Sequence, residues 1–286
     1  MDPGFDESVI PYFSSGSLLR TAFFIMIIDF HTHFYPEKVA EKAMAHCQGL
    51  LQVYSDGTRR GLLESMGNAN VDISVGLALV NNPENSASVN RWAVQQHHGP
   101  VCMLGSFHPA EPDPVQTVRT IAGYGLPGIK VHPEYQQFTF EDKTLYPCWE
   151  ECIANGIFLV THAGFDIMYQ PPWHTSPRSL VQFHKNFPKL TLILAHLGSM
   201  TFWDEVEKEL AGFPVFFDLA FVTPEYISKE QLVRIIRKHG AERILFGTDA
   251  PWCDQKSHVE WIDSLPISGN EKAAIFYKNA AELLKI

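Results

Sequence analysis

Short apolar runs alternate along this chain with longer segments in which apolar residues recur at helical spacing. The apolar runs predict strands over Phe24 to Phe30, Ile73 to Val80, Val101 to Phe107, Gly128 to Val131, Ile157 to Thr161, Leu190 to Leu194, Val215 to Leu219 and Ile244 to Phe246. Helical patterns lie between them, over Pro36 to His46, Ser86 to Gln96, Pro114 to Ala122, Leu145 to Ala154, Pro177 to Phe187, Trp203 to Leu210, Lys229 to His239 and Asn270 to Leu284. Pro36 and Pro177 stand where a first helical turn tolerates proline, and Ser228 is a suitable N-cap.

Strict alternation of strand and helix means parallel pairing with right-handed crossovers. Eight such units over roughly 250 residues fit an α/β fold, a single distorted (β/α)8 TIM barrel. An open doubly wound sheet would carry a glycine-rich phosphate loop after its first strand; here that place holds "DFHTH", Asp29 to His33. No repeat, low-complexity tract or linker divides the chain, so residues 26–286 read as one domain. Residues 1–25 read as an extension or a mis-assigned start, since Met26 directly precedes "IIDFHTH". They lack a basic region and a small-residue cleavage site, and the apolar stretch Ala22 to Ile28 is too short to cross a bilayer.

Composition narrows the partner. Apolar content of 45% and charged content of 19% are those of a soluble globular protein. A net charge of −10 argues against a nucleic-acid surface, which needs clustered cations. The expected partner is a small molecule, with no nucleic acid and no membrane, and a homodimer is the default assembly. Five cysteines without CxxC spacing fit a reducing, cytoplasmic compartment.

Thirteen histidines in 286 residues give about 0.6 His-x-His pairs by chance (286 × (13/286)²), so His31-Thr32-His33 alone says little. Position says more. In a barrel the C-terminal ends of all strands open into one mouth. His31 and His33 follow the first predicted strand, His108 ends the third, Lys130 and His132 the fourth, His162 the fifth and His196 the sixth, while Asp249 follows the eighth. Side chains two apart on a strand share a face, so His31 and His33 can grip one ion, with Asp29 joining if it turns inward. Imidazoles with a carboxylate suit Zn2+, with Mn2+, Fe2+ or Co2+ as alternatives, and leave a position for water. Each liganding histidine should offer its second nitrogen to an outer acceptor. His46, His97, His98, His184, His239 and His258 read as surface or cap residues. Gly164 to Pro177, rich in proline and aromatics, reads as a loop over the mouth, which makes Asp166, Tyr169, Trp173 and His174 substrate-contact candidates. His132 and Trp252 join them as mouth-lining residues, and Arg178 as a carboxylate clamp.

In this order "DFHTH", "THAG", "AHLG" and "FGTDAPW" resemble the amidohydrolase superfamily, specifically its amidohydrolase-related branch. That branch holds hydrolases and also non-oxidative decarboxylases similar to aminocarboxymuconate-semialdehyde decarboxylase. The likeness runs from Met26 to the C-terminus. It implies His31, His33, His162 and Asp249 as metal ligands, and His196 as the group that orients or polarises water or substrate. Lys130, in "GIKVHP", falls where binuclear members carry a carboxylated bridging lysine. An unmodified lysine binding an anionic group is the simpler reading, so one ion is preferred to two. With two, Lys130 and His196 would serve the second.

The leading chemistry is hydrolysis. Metal-activated water attacks an amide, lactone or ester carbonyl, Asp249 carries the proton and His196 stabilises the oxyanion. The same residues admit decarboxylation, in which Asp249 protonates the α-carbon as CO2 leaves and Lys130 or Arg178 orients the carboxylate. A barrel without catalysis is opposed by the complete donor set, and a nuclease by the negative charge.

Overall fold

The computed structural model describes residues 26–47 and 49–286. The expected extension 1–25, with the first two residues of the first predicted strand, lies outside them. β1 (Ile28–Thr32), β2 (Ile73–Leu77) and β3 (Val101–Leu104) form one parallel sheet in that order; β4 (Gly128–Val131), β5 (Phe158–Thr161), β6 (Leu192–Leu194), β7 (Phe216–Asp218) and β8 (Ile244–Leu245) form another. Two seams join them. Gly105 N donates to Gly128 O at 3.0 Å and Lys130 N to Gly105 O at 2.8 Å, linking β3 to β4. Phe30 N donates to Phe246 O and Asp249 N to His31 O, both at 2.8 Å, linking β1 to β8. Backbone bonds therefore run around the whole ring, and the fold is the expected (β/α)8 barrel, with ladders as short as two residues at β8.

The strands are buried on both faces, as parallel strands wrapped by helices must be, which is why the sequence shows apolar runs here rather than clean alternation. Phe30, Val75, Leu77, Leu104, Phe158, Val160, Ile193 and Leu245 fill the barrel, and Ala280 and Ala281 of the last helix pack against that cluster. Outside it a larger apolar layer, with Trp149, Phe183, Ile235 and Ile236, seats the helices.

Several expectations need correcting. Two helices, Arg59–Ala69 and Gln255–Asp263, went unpredicted. The first contains Gly61 and Gly67, which dilute the helical signal; Thr58 caps it by accepting from Gly61 N. The second reads as polar sequence but is capped by Asp254, which accepts from Ser257 N. The strands are shorter than the apolar runs, because the chain stays buried as it leaves the sheet: Ala78, Val80 and Phe107 are core residues beyond the ends of β2 and β3. Among the described residues no helix is long and apolar enough to cross a membrane.

Candidate active site at the barrel mouth

Inward positions recur every second residue along a strand, and at the C-terminal end the last inward position is polar. On β5 the apolar Phe158 and Val160 are followed by His162, on β7 Phe216 is followed by Asp218, and on β8 Leu245 and Gly247 lead to Asp249. Lys130 on β4 follows Gly128 in the same way. A polar layer thus rests on an apolar one. β1 breaks the rule, because its register with β2 shifts between Asp29 and Thr32. His31 faces the mouth, whereas Asp29, two residues earlier, accepts from Thr248 N, Thr248 Oγ1 and Gln255 Nε2. Asp29 is therefore a clasp between β1 and the chain after β8; it does not join the donor set.

The protons of the histidines follow from the partners of their outer nitrogens. His31 Nδ1 lies 2.7 Å from Asp218 Oδ2, and His33 Nδ1 lies 3.2 Å from the Leu77 carbonyl, so both Nδ1 atoms carry hydrogen. Their Nε2 atoms then present lone pairs to each other at 3.2 Å, and to Asp249 Oδ1 at 3.4 and 3.1 Å. His196 Nδ1 donates to Ala220 O at 2.9 Å, which leaves its Nε2 to accept from His162 Nδ1 at 3.0 Å. His162 Nε2 is then proton-free, buried and without a hydrogen-bond partner among the described residues. The lone pairs of His31, His33 and Asp249, this close, repel unless a cation lies among them, so these donors fit a metal ion.

Donor atoms of His31, His196 and Asp249 lie within 4.8 Å of one another, and so do those of His132, His162 and Asp166. Proton positions distinguish the two groups. His132 Nδ1 caps the turn Pro133–Gln136 by accepting from Tyr135 N, and its Nε2 donates to Asp166 Oδ2 at 3.2 Å. Both ring nitrogens are engaged, and the ring stacks on His162 with centroids 4.1 Å apart. His132 thus holds Asp166 and supports His162.

Burial sets the electrostatics. It pushes His31 down to about 4, with Lys130 adding to the shift, so this ring is neutral near pH 7, as a ligand must be. His162 and His132 are also driven well below their ordinary value by burial. Burial disfavours the charged form of Asp218, yet His31, whose Nδ1–H bonds to it, holds it below the ordinary carboxylate value. Lys130 is 1% exposed, its Nζ lies 3.5 Å from His31 Nε2, and burial pushes it down to about 8 against the pull of Asp218, Asp249 and Asp166. The backbone is strained in the same place. Asp249 and His196 adopt φ of 70° and 59°, which costs non-glycine residues about 1 kcal/mol or more each. Gly164 of "THAG" has φ 90°, and a Cβ there would meet Met200 N at 2.4 Å, so only glycine allows this approach of the chains after β5 and β6.

The structure brings His31, His33, Lys130, His132, His162, Asp166, His196 and Asp249 together. His174 lies farther out, where its backbone N donates to Glu134 Oε1 at 2.7 Å and its Nδ1 pairs with Glu134 Oε2, tying the loop after β5 to the turn after β4. Trp252 is half-buried beside Asp249, its backbone N donating to Asp249 O. Arg178 is exposed at the start of the helix Pro177–Asn186, with no contact to the cluster, and is no carboxylate clamp in this arrangement. His239, His258 and His184 are buried rather than superficial: the first two bond to Val215 O and Leu219 O through Nε2. Sequence reasoning missed Asp218 and Glu134. Asp218 was detectable as the one charged residue in the apolar run "VFFDLA".

An amidohydrolase family model matches residues 28–286. Among solved structures, the chain is similar to an uncharacterized TIM-barrel protein from Bordetella bronchiseptica (TM-score 0.76, 20% identity, 91% of this chain and 98% of that one). It is also similar to 5-carboxyvanillate decarboxylase from Sphingomonas paucimobilis (TM-score 0.71, 16% identity, 92% and 99%). A third is 2,6-dihydroxybenzoate decarboxylase complexed with 2,6-dihydroxybenzoate (TM-score 0.69, 14% identity, 92% and 100%). Identities this low establish the shared fold alone, but the family match spans nearly the whole barrel, and the chain belongs to the amidohydrolase family.

Proposed function

We propose that this protein is a metal-dependent, non-oxidative decarboxylase of a small aromatic carboxylic acid, a reading we prefer to the hydrolysis that the sequence first suggested. The observation that carries it is the close, proton-free set His31 Nε2, His33 Nε2 and Asp249, with the unpartnered Nε2 of His162 at the end of β5 and Lys130, a buried cation, at the same mouth. Two similar structures are of decarboxylases of aromatic acids, which supports the preference.

In this reading His31, His33, His162 and Asp249 hold one divalent ion, Zn2+ or Mn2+ by donor chemistry. When bound, the ion supplies a Lewis acid that draws a substrate carboxylate and a neighbouring oxygen to one place. Asp218 fixes the His31 tautomer, and the carbonyl of Leu77 does the same for His33. His196 takes the proton of His162 Nδ1, which makes it a positioning residue for His162 rather than a free base. Lys130 Nζ places its charge against the carboxylate that leaves. Asp249, as the carboxylate, accepts the proton of a substrate hydroxyl and returns it to the ring carbon. The bond from that carbon to the carboxylate breaks with its electron pair left on carbon, and CO2 departs.

The test is metal analysis followed by paired panels on the metal-loaded protein, hydroxybenzoates scored for CO2 and lactones, amides and esters scored for hydrolysis. CO2 release from a hydroxybenzoate is the expected result. Hydrolysis without CO2 release would restore the other reading, and no bound metal would end both.

A further inference from the structure

Two tyrosines meet at the rim of this mouth: Tyr135 sits on the turn after β4, and Tyr169 on the loop after β5. The Tyr135 ring contacts His132 edge-on at 4.4 Å and Tyr169 edge-on at 5.1 Å, and His132 lies on His162 at 4.1 Å. A continuous line of rings therefore runs from a donor of the metal set to the rim. Both tyrosines are partly buried, and neither hydroxyl meets a hydrogen-bond partner among the described residues.

Partly buried tyrosine hydroxyls ordinarily find a partner in the protein. Two phenol O–H groups stand without a partner at the end of this line of rings, close to Asp166, which His132 holds. From this geometry we propose that Tyr135 and Tyr169 are the specificity subsite of the mouth, taking the ring of a planar aromatic acid against their faces and its oxygen substituents on their hydroxyls. This rests on the decarboxylase reading for the placement of the carboxylate at the donor set, while the tyrosines supply the choice of ring. Aliphatic acids of similar size would forfeit both the ring contacts and, lacking ring oxygens, the hydrogen bonds.

The test measures binding, so that it stands apart from turnover. 4-Hydroxybenzoate, whose ring oxygen lies opposite its carboxylate, benzoate and cyclohexanecarboxylate are titrated calorimetrically into the Mn2+-loaded protein, with CO2 release from hydroxybenzoates assayed in parallel. Wild type should bind 4-hydroxybenzoate more tightly than benzoate, and benzoate more tightly than cyclohexanecarboxylate. Tyr135→Phe and Tyr169→Phe keep the rings and remove one hydroxyl each. They should weaken 4-hydroxybenzoate roughly three- to tenfold, the size of one hydrogen bond, and leave benzoate and metal content unchanged. Tyr135→Leu should weaken both aromatic acids. Binding of 4-hydroxybenzoate that ignores the Phe variants, equal binding of cyclohexanecarboxylate, or no binding of 4-hydroxybenzoate at millimolar concentration would overturn the subsite. Tyrosine-dependent binding of 4-hydroxybenzoate with no CO2 released from any hydroxybenzoate would uphold the subsite and count against the reaction.

Discussion

Asp218 Oδ2 lies 2.7 Å from His31 Nδ1, and both side chains are essentially sealed from solvent. The same carboxylate, through Oδ1, accepts from His196 N at 2.9 Å and Ala220 N at 3.1 Å, so β7 organises the donors of β1 and β6 at once. Removing its charge should leave the backbone bonds to Oδ1 in place and lower the basicity of His31. Asp218→Asn is expected to fold and to bind Zn2+ about 10- to 100-fold more weakly than wild type. Competition with a chromophoric chelator measures this; unchanged affinity would mean that the pair serves folding alone.

The donor set makes a contrast between histidines. His31→Ala and His33→Ala should each lower the metal content of purified protein, whereas His97→Ala, an exposed position at a helix end, should not. Elemental analysis of the three variants decides it, and equal content in all would place the ion elsewhere. Asp249→Asn is expected to keep the fold and lose at least about a hundredfold in CO2 release, because in the proposed reaction it removes the group that carries the proton.

Much of this was readable beforehand. Apolar runs located all eight strands, and the ends of those runs located His31, His162, His196 and Asp249, because a barrel turns distant strand ends into neighbours. What escaped were features decided by local backbone. Asp29 and His31 share a sequence parity but not a face, since the β1 register shifts between Asp29 and Thr32. His239 and His258 stand at helix positions that read as caps, and only packing shows that they turn under the helix to reach strand carbonyls. Of the tyrosines at the rim the sequence offered Tyr169; Tyr135 escaped, because only packing brings the turn after β4 against the loop after β5.

Those two buried histidines give the fold a pH dependence. Burial pushes His239 and His258 each down to about 4, from 6.5 in the unfolded chain. Between these values the unfolded state binds protons that the native state refuses, so stability is full above about 6.5 and falls as pH drops toward 4. Each contributes on the order of 3 kcal/mol across that window. Asp29 opposes them, because burial raises it to about 7 from 3.8, so it binds its proton in the native state first and adds stability as pH falls. Two histidines outweigh one carboxylate. Urea unfolding of the metal-free protein should show stability falling between pH 6.5 and 4.5, with a shallower slope in His239→Gln. An unaltered slope in that variant would remove His239 from the account.

Lys130 is where stability and function oppose each other. An ammonium at 1% exposure is costly to keep, and its partners Asp218 and Asp249 offset the cost only in part, as the fall of its pKa to about 8 shows. Lys130→Met replaces it with an apolar chain of similar length, so the metal-free fold should be as stable as wild type or more stable by about 1–2 kcal/mol. A charge-assisted hydrogen bond to a carboxylate is worth about 1.5–3 kcal/mol, so kcat/KM for CO2 release should fall roughly 10- to 150-fold. Paired urea unfolding and kinetics on one preparation test both signs together. If stability falls as well as activity, Lys130 is a structural cation and the carboxylate is held by some other group.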